Sequence, residues 1–172
     1  MNFKNADGEL SLEKPNRLFD SRADFQAAIR AAFASLAEFA CTEVLISDTD
    51  FADWPLGEIA VVESLTAWVR SQRKLTVYAQ NFDDIVRRHP RWVVWRRQFA
   101  HAVSCREVEQ QEQGRMPALF TARGGTTVRL FDAERFRGSS STLATDAVVA
   151  RELIDVISQR SSEGFAATTL GL

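Results

Sequence analysis

The chain has 172 residues, 45% of them hydrophobic and 26% charged, with a formal net charge of −2. A chain of this size buries roughly 70% of its unfolded surface around one core, so a single domain is the expectation and a fibrous or disordered class is excluded. Near-neutral charge excludes bulk attraction to nucleic acid or anionic lipid, so nucleic acid is not an expected partner unless a local patch draws it.

Residues 1–16 are polar and mixed in charge, without the basic start and apolar run of a secretory signal, so a cytoplasmic location is expected. No apolar run approaches the roughly 20 residues that span a bilayer as a helix. The single domain is expected over 17–162, with 163–172 a frayed tail. Cys41 and Cys105 lack metal-site or redox spacing and read as small buried hydrophobes.

Arg17, Leu18 and Phe19 predict a short strand, and Ser21 offers an N-cap to a helix over 21–40, with Phe25, Ile29, Phe33, Leu36 and Phe39 as its core face. Val44, Leu45 and Ile46 are apolar at consecutive positions, the pattern of a strand covered on both faces. Pro55 suits the first turn of a second helix with Ile59, Val62, Leu65 and Val69 inward. A strand over 75–79 follows, then a short helix that Pro90 interrupts, and a helix over 91–102 with Trp92, Trp95 and Phe99 on one side.

Further strands are expected over 103–108, 117–122 and 127–131, the last two joined by a turn at Arg123, Gly124 and Gly125. A Ser-rich loop over 138–142 precedes a final helix over 145–159, with Val149, Leu153, Val156 and Ile157 inward. The element order β-α-β-α-β-α-β-β-β-α predicts an α/β fold, a mixed β-sheet sandwiched between helix layers.

Three constellations could carry chemistry. Asp48, Asp50 and Asp53 stand at the carboxyl end of a strand, where open α/β sheets bind ligands. Asp48 and Asp50 suit a hard cation such as magnesium, which would support a metal-dependent phosphohydrolase acting on a phosphorylated ligand. The competing reading has these carboxylates accept hydrogen bonds from the N–H groups of the following helix. Between Arg87 and Arg97 the chain carries Arg87, Arg88, Arg91, Arg96 and Arg97 with Trp92 and Trp95. Arginine forks grip phosphates and tryptophan stacks on bases, so Arg88, Arg91, Arg96 and Arg97 are candidates for phosphate or nucleic-acid binding. Helical spacing instead turns the tryptophans to the core and leaves the arginines on a solvated face. His101 reads as a buried, hydrogen-bonded imidazole, and His89 falls in the kink before Pro90.

The element order, with LFDS at 18–21, LISDTDFADWPLG at 45–57 and RHPRWVVWRRQFAHA at 88–102, resembles one half of the phospholipase D-like fold. The likeness is to a bacterial group within it that lacks the catalytic motif. Active members carry His-x-Lys-(x)4-Asp, in which His attacks phosphorus and Lys holds the phosphate oxygens. Here Met116, Ala118 and Arg123 occupy the matching positions, and neither histidine has a lysine two places on. The resemblance therefore implies a non-catalytic half-domain that acts as a binding or assembly module. Active half-domains pair, so it also implies a homodimer, with Trp54 and Trp68 as candidate interface anchors. Asp48-Thr49-Asp50 also resembles the Asp-x-Asp of haloacid dehalogenase-type phosphatases, with Ala52 where that family has Thr or Val.

Overall fold

Ser21 caps the first helix as its position predicts, its hydroxyl oxygen accepting the N–H of Asp24 at 3.1 Å. The computed structural model describes residues 16–70, 72–110 and 115–166. Strand β1 (Asn16–Phe19) leads through α1 (Arg22–Ala34), β2 (Glu43–Ser47), α2 (Ile59–Trp68) and β3 (Lys74–Ala79) to two short helices, α3 (Asp83–Arg88) and α4 (Pro90–Gln98). Then come β4 (Val103–Val108), β5 (Leu119–Ala122), β6 (Thr127–Asp132), β7 (Arg137–Ser141), α5 (Ala144–Ser158) and β8 (Ser161–Glu163).

The strands form one eight-stranded mixed sheet in the order β1-β7-β6-β5-β2-β3-β4-β8. The centre, β2-β3-β4, is parallel, and every other pairing is antiparallel. The chain is thus α/β, as its element order predicts. Val44 and Ile46 of β2 join a core with Phe25, Ile29 and Phe33 of α1 and Leu65 of α2. Leu45, between them, joins a separate cluster with Tyr78, Met116, Leu119 and the α5 residues Ala150, Ile154 and Ile157. The consecutive apolar residues of β2 are used in both directions.

Several boundaries differ from expectation. Helix α1 stops at Ala34, and the chain turns through Ala40 at φ +50°, where Cys41 N–H donates to the Leu36 carbonyl. Phe39 is therefore exposed rather than core. Helix α2 starts at Ile59, not next to Pro55, because Pro55 belongs to a turn whose carbonyl accepts Glu58 N–H; Ile59 is left in solvent. Along α5 the buried residues are Ala150, Ile154 and Ile157, while Val149 and Val156 are exposed. The helix presents its alanine to the sheet, which lets the backbones approach.

The Ser-rich segment expected to be a loop is strand β7, paired on one side with β1 and on the other with β6. Serine has no strand periodicity to reveal it, and pairing on both sides overrides the weak local preference. The tail expected to fray from Glu163 instead contributes Ser161–Glu163 as β8 against β4, with Phe165 stacked on Phe82 at 5.1 Å; residues 167–172 lie outside the described residues. Residues 1–15 of the N-terminal segment are likewise outside them. Trp54 and Trp68, candidate interface anchors, are buried in the core, and the Trp68 indole donates to the Cys41 carbonyl at 2.5 Å. Cys41 and Cys105 are buried free thiols. Among the described residues no helix is long and apolar enough to cross a membrane.

Gly138 is where β7 passes closest to its neighbours. A Cβ there would stand 2.2 Å from the Arg129 carbonyl oxygen and 2.8 Å from the Phe19 ring. Gly138→Ala is expected to cost about 2–3 kcal/mol through overpacking, a fall in Tm of roughly 5–10 °C by thermal denaturation. An unchanged Tm would mean that β7 does not lie between β1 and β6 as described.

Candidate functional site

The site begins where β2 ends. Asp48 N–H donates to the Tyr78 carbonyl at 3.2 Å and Gln80 N–H to the Thr49 carbonyl at 3.1 Å, so β2 and β3 stay joined past Ser47. Beyond Thr49 the chain folds back into the core. Phe51 adopts φ +56°, a left-handed conformation that a bulky side chain takes only when its surroundings impose it. Its ring is fully buried against Trp54 at 4.9 Å, and Trp54 in turn meets Phe25 of α1 edge-on at 5.8 Å. Leu56 is buried beside them.

Each aspartate has a separate task in this loop. The buried Asp48 carboxylate accepts the Trp54 indole N–H at Oδ2 (2.9 Å) and the Thr49 N–H at Oδ1 (2.7 Å). Burial pushes its pKa up to about 6, against which the Thr49 N–H and the Trp54 indole pull it down. Asp50 Oδ1 accepts Ala52 N–H at 2.9 Å, an Asx turn. Asp53 Oδ1 accepts Arg22 Nε at 2.8 Å, and its carbonyl accepts Gln26 Nε2 at 2.9 Å, tying the loop to α1.

His89 closes the far side of the loop. Its Nδ1 accepts Gly57 N–H at 3.2 Å, which places the proton on Nε2, and Nε2–H donates to the Phe51 carbonyl at 2.9 Å. Burial lowers its pKa, so the ring is held neutral. Gly57 lies so near that a Cβ there would stand 3.0 Å from His89 Cα. The imidazole expected to be buried at His101 is instead this one, and His101 is exposed.

The helix-capping reading of the aspartates does not describe this arrangement. Their N–H partners belong to the loop, and α2 starts from Glu58 without a side-chain cap, so these carboxylates do not cap that helix. Among the described residues no group of three or more His, Cys, Asp or Glu side chains is placed to hold a metal ion. A cation at Asp48 would share its carboxylate with the Trp54 indole and the Thr49 N–H.

The arginine segment divides by depth. Trp92 and Trp95 are buried, the side their spacing predicts. Arg96 goes in with them: it donates to the Phe165 carbonyl, lies 4.5 Å over the Phe165 ring, and lines a cavity with Val103, Cys105 and Phe165. Arg87 pairs with Asp84 at 2.7 Å and Arg91 donates to the Gly57 carbonyl at 3.1 Å, while Arg88 and Arg97 are exposed. Between α2 and α4 lies a groove of about 500 Å³ lined by Val62, Thr66, Pro90, Arg91, Val94 and Trp95. Its signal was an apolar residue, Val94, standing among the arginines of the outer helix face.

The positions matching the phospholipase D-like motif hold no reactive group. Met116 and Ala118 are buried, Met116 within the cluster under α5, and Arg123 is exposed in the turn after β5, its N–H donating to the Glu43 carbonyl at 2.9 Å.

No family model and no curated protein matches the chain. Solved structures do. The chain superposes on TrmBL2, an archaeal chromatin protein whose structure shows a novel mode of DNA binding, with TM-score 0.62 at 7% identity over 90% of this chain and 56% of that one. It also superposes on NucT from Helicobacter pylori, with TM-score 0.52 at 9% identity over 87% of this chain and 98% of that one. The chain therefore spans little more than half the length of TrmBL2 and nearly all of NucT. At these identities the likeness is one of fold.

Asp48 sets a pH dependence. Its carboxyl titrates near 3.8 when unfolded and at about 6 when folded, so between those values the folded protein holds the extra proton. The Asp48 contribution to stability is thus greatest below pH 4, falls as pH rises to 6, and stays lowered above. Relative to Asp48→Asn, whatever that variant's absolute stability, wild type is expected to lose on the order of 3 kcal/mol across this range in urea titrations. Parallel curves for the two proteins would rule out the raised titration.

Proposed function

We propose that the chain is a non-catalytic phospholipase D-like half-domain, its sheet sandwiched between helix layers, acting as a binding or assembly module that pairs as a homodimer. The observation that carries this reading is the burial of Met116 and Ala118 where the resembling fold keeps its nucleophile and its phosphate-holding lysine. A covalent phosphoryl transfer needs both functions within reach of one phosphate, and apolar side chains in a packed cluster supply neither. The fold match to NucT over almost the whole of that protein supports the architecture. The engagement of Asp48, Asp50 and Asp53 within their own loop tells against the alternative of a metal-dependent phosphohydrolase.

A second reading follows from the exposed arginines. Arg88 and Arg97 stand in solvent on α3 and α4, and the fold is shared with a chromatin protein that binds DNA, which favours weak nucleic-acid or phosphate binding at this face. One labelled oligonucleotide tests both readings. It is expected to remain uncleaved with or without magnesium; cleavage that disappears in Asp48→Asn would overturn the non-catalytic reading. Retention that weakens steeply with salt and falls in the Arg88→Ala, Arg97→Ala double variant would support the second reading, and no retention at low salt would dispose of it.

A further inference from the structure

Strand β1 ends the sheet, and among the described residues no strand lies beyond it. Edge strands that face water are normally blunted by short length or charged side chains, because their free N–H and C=O groups template pairing with another chain, and β1 has four residues with Arg17 among them. Here the edge carries Leu18, which is 73% exposed, the highest value among the exposed large hydrophobic residues. The register Leu18↔Ser139↔Arg129 places Leu18 on the same sheet face as Arg129, whose guanidinium lies 5.3 Å from the Phe131 ring. Phe131 is itself 58% exposed, and Leu18, Phe131 and Arg137 border one cavity of about 500 Å³. Arg17 borders a second concavity, which shares Leu18, Phe19 and Asp24 with the first and is lined further by Ala27, Ala28 and Ala31.

We propose that this edge is the homodimer interface, with β1 of one copy pairing antiparallel to β1 of a second copy. The inference deepens the homodimer reading above and rests on it. Two identical antiparallel strands related by a two-fold axis normal to the sheet pair residues whose numbers sum to an even value, so that opposed side chains share a face. Centred on Arg17 the pairing would oppose two guanidinium groups. Centred on Leu18 it sets leucine against leucine, with Phe131 of each copy on the same face. The same register sets Asn16 opposite Asp20 of the second copy and brings Arg17 toward Phe19, beside which that copy carries Asp24. The edge thus sets apolar surface against apolar surface and Arg17 toward an acidic neighbour. The joined sheet would be sixteen strands wide, twice the eight of one chain.

Light scattering on the eluting protein tests the surface, together with oxidation of a Leu18→Cys variant. The expectation is a wild-type mass twice the 19.3 kDa of the chain, and a single-chain mass for Leu18→Arg, Phe131→Arg at the same concentration with circular dichroism unchanged. Opposed residues of antiparallel strands have Cα atoms about 4.5–5.5 Å apart, within disulfide range, so Leu18→Cys should form a dimer that a thiol reductant dissolves. A double variant that stays dimeric, with Leu18→Cys failing to cross-link, would overturn this surface and leave the homodimer reading standing. A wild-type protein that elutes as a single chain at every concentration would overturn both.

Discussion

The hydrogen bond from the Trp54 indole to the buried Asp48 carboxylate is the constraint on which the rest of the molecule depends. It requires the chain leaving β2 to reverse direction within six residues, and the left-handed turn at Phe51 provides that reversal. Once reversed, the loop fills the space among α1, α3 and α4 with Phe51, Trp54 and Leu56. Two further ties keep it there: Asp53 to Arg22 on α1, and His89, at the junction of α3 and α4, to Phe51 and Gly57. The carboxylate is buried with both oxygens engaged by N–H donors, the condition under which a charge is tolerated inside a protein.

This loop occupies the place where an open α/β sheet usually receives a ligand. Aromatic side chains of the protein itself fill that place. Met116 and Ala118 are likewise buried. What remains outward-facing is of a different kind: guanidinium groups on α3 and α4, an apolar groove beside them, and a sheet edge with Leu18 and Phe131 in solvent.

Features set by neighbouring residues could be read from the sequence, and features set by distant ones could not. The Ser21 cap reaches three residues along the chain, and the two-sided burial of Val44, Leu45 and Ile46 follows from their being consecutive. The location of Asp48, Asp50 and Asp53 at a strand end was equally visible. Their partners were not, because Arg22 lies 31 positions from Asp53 and Phe51 lies 38 from His89. The contact of Arg96 with Phe165, 69 positions away, was hidden for the same reason. Strand β7 escaped notice because its serines owe their conformation to pairing with β1 and β6.

The acidic end of β2 is a structural latch. The most direct measurement is a magnesium titration of the 15N-labelled protein followed by the amide signals of Thr49 and Ala52 and the indole signal of Trp54, the three donors held by Asp48 and Asp50. All three are expected to stay in place at millimolar magnesium, moving no more than amides elsewhere in the chain. Saturable displacement of the Trp54 indole signal, abolished in Asp50→Asn, would contradict it and return these aspartates to the role of a metal site.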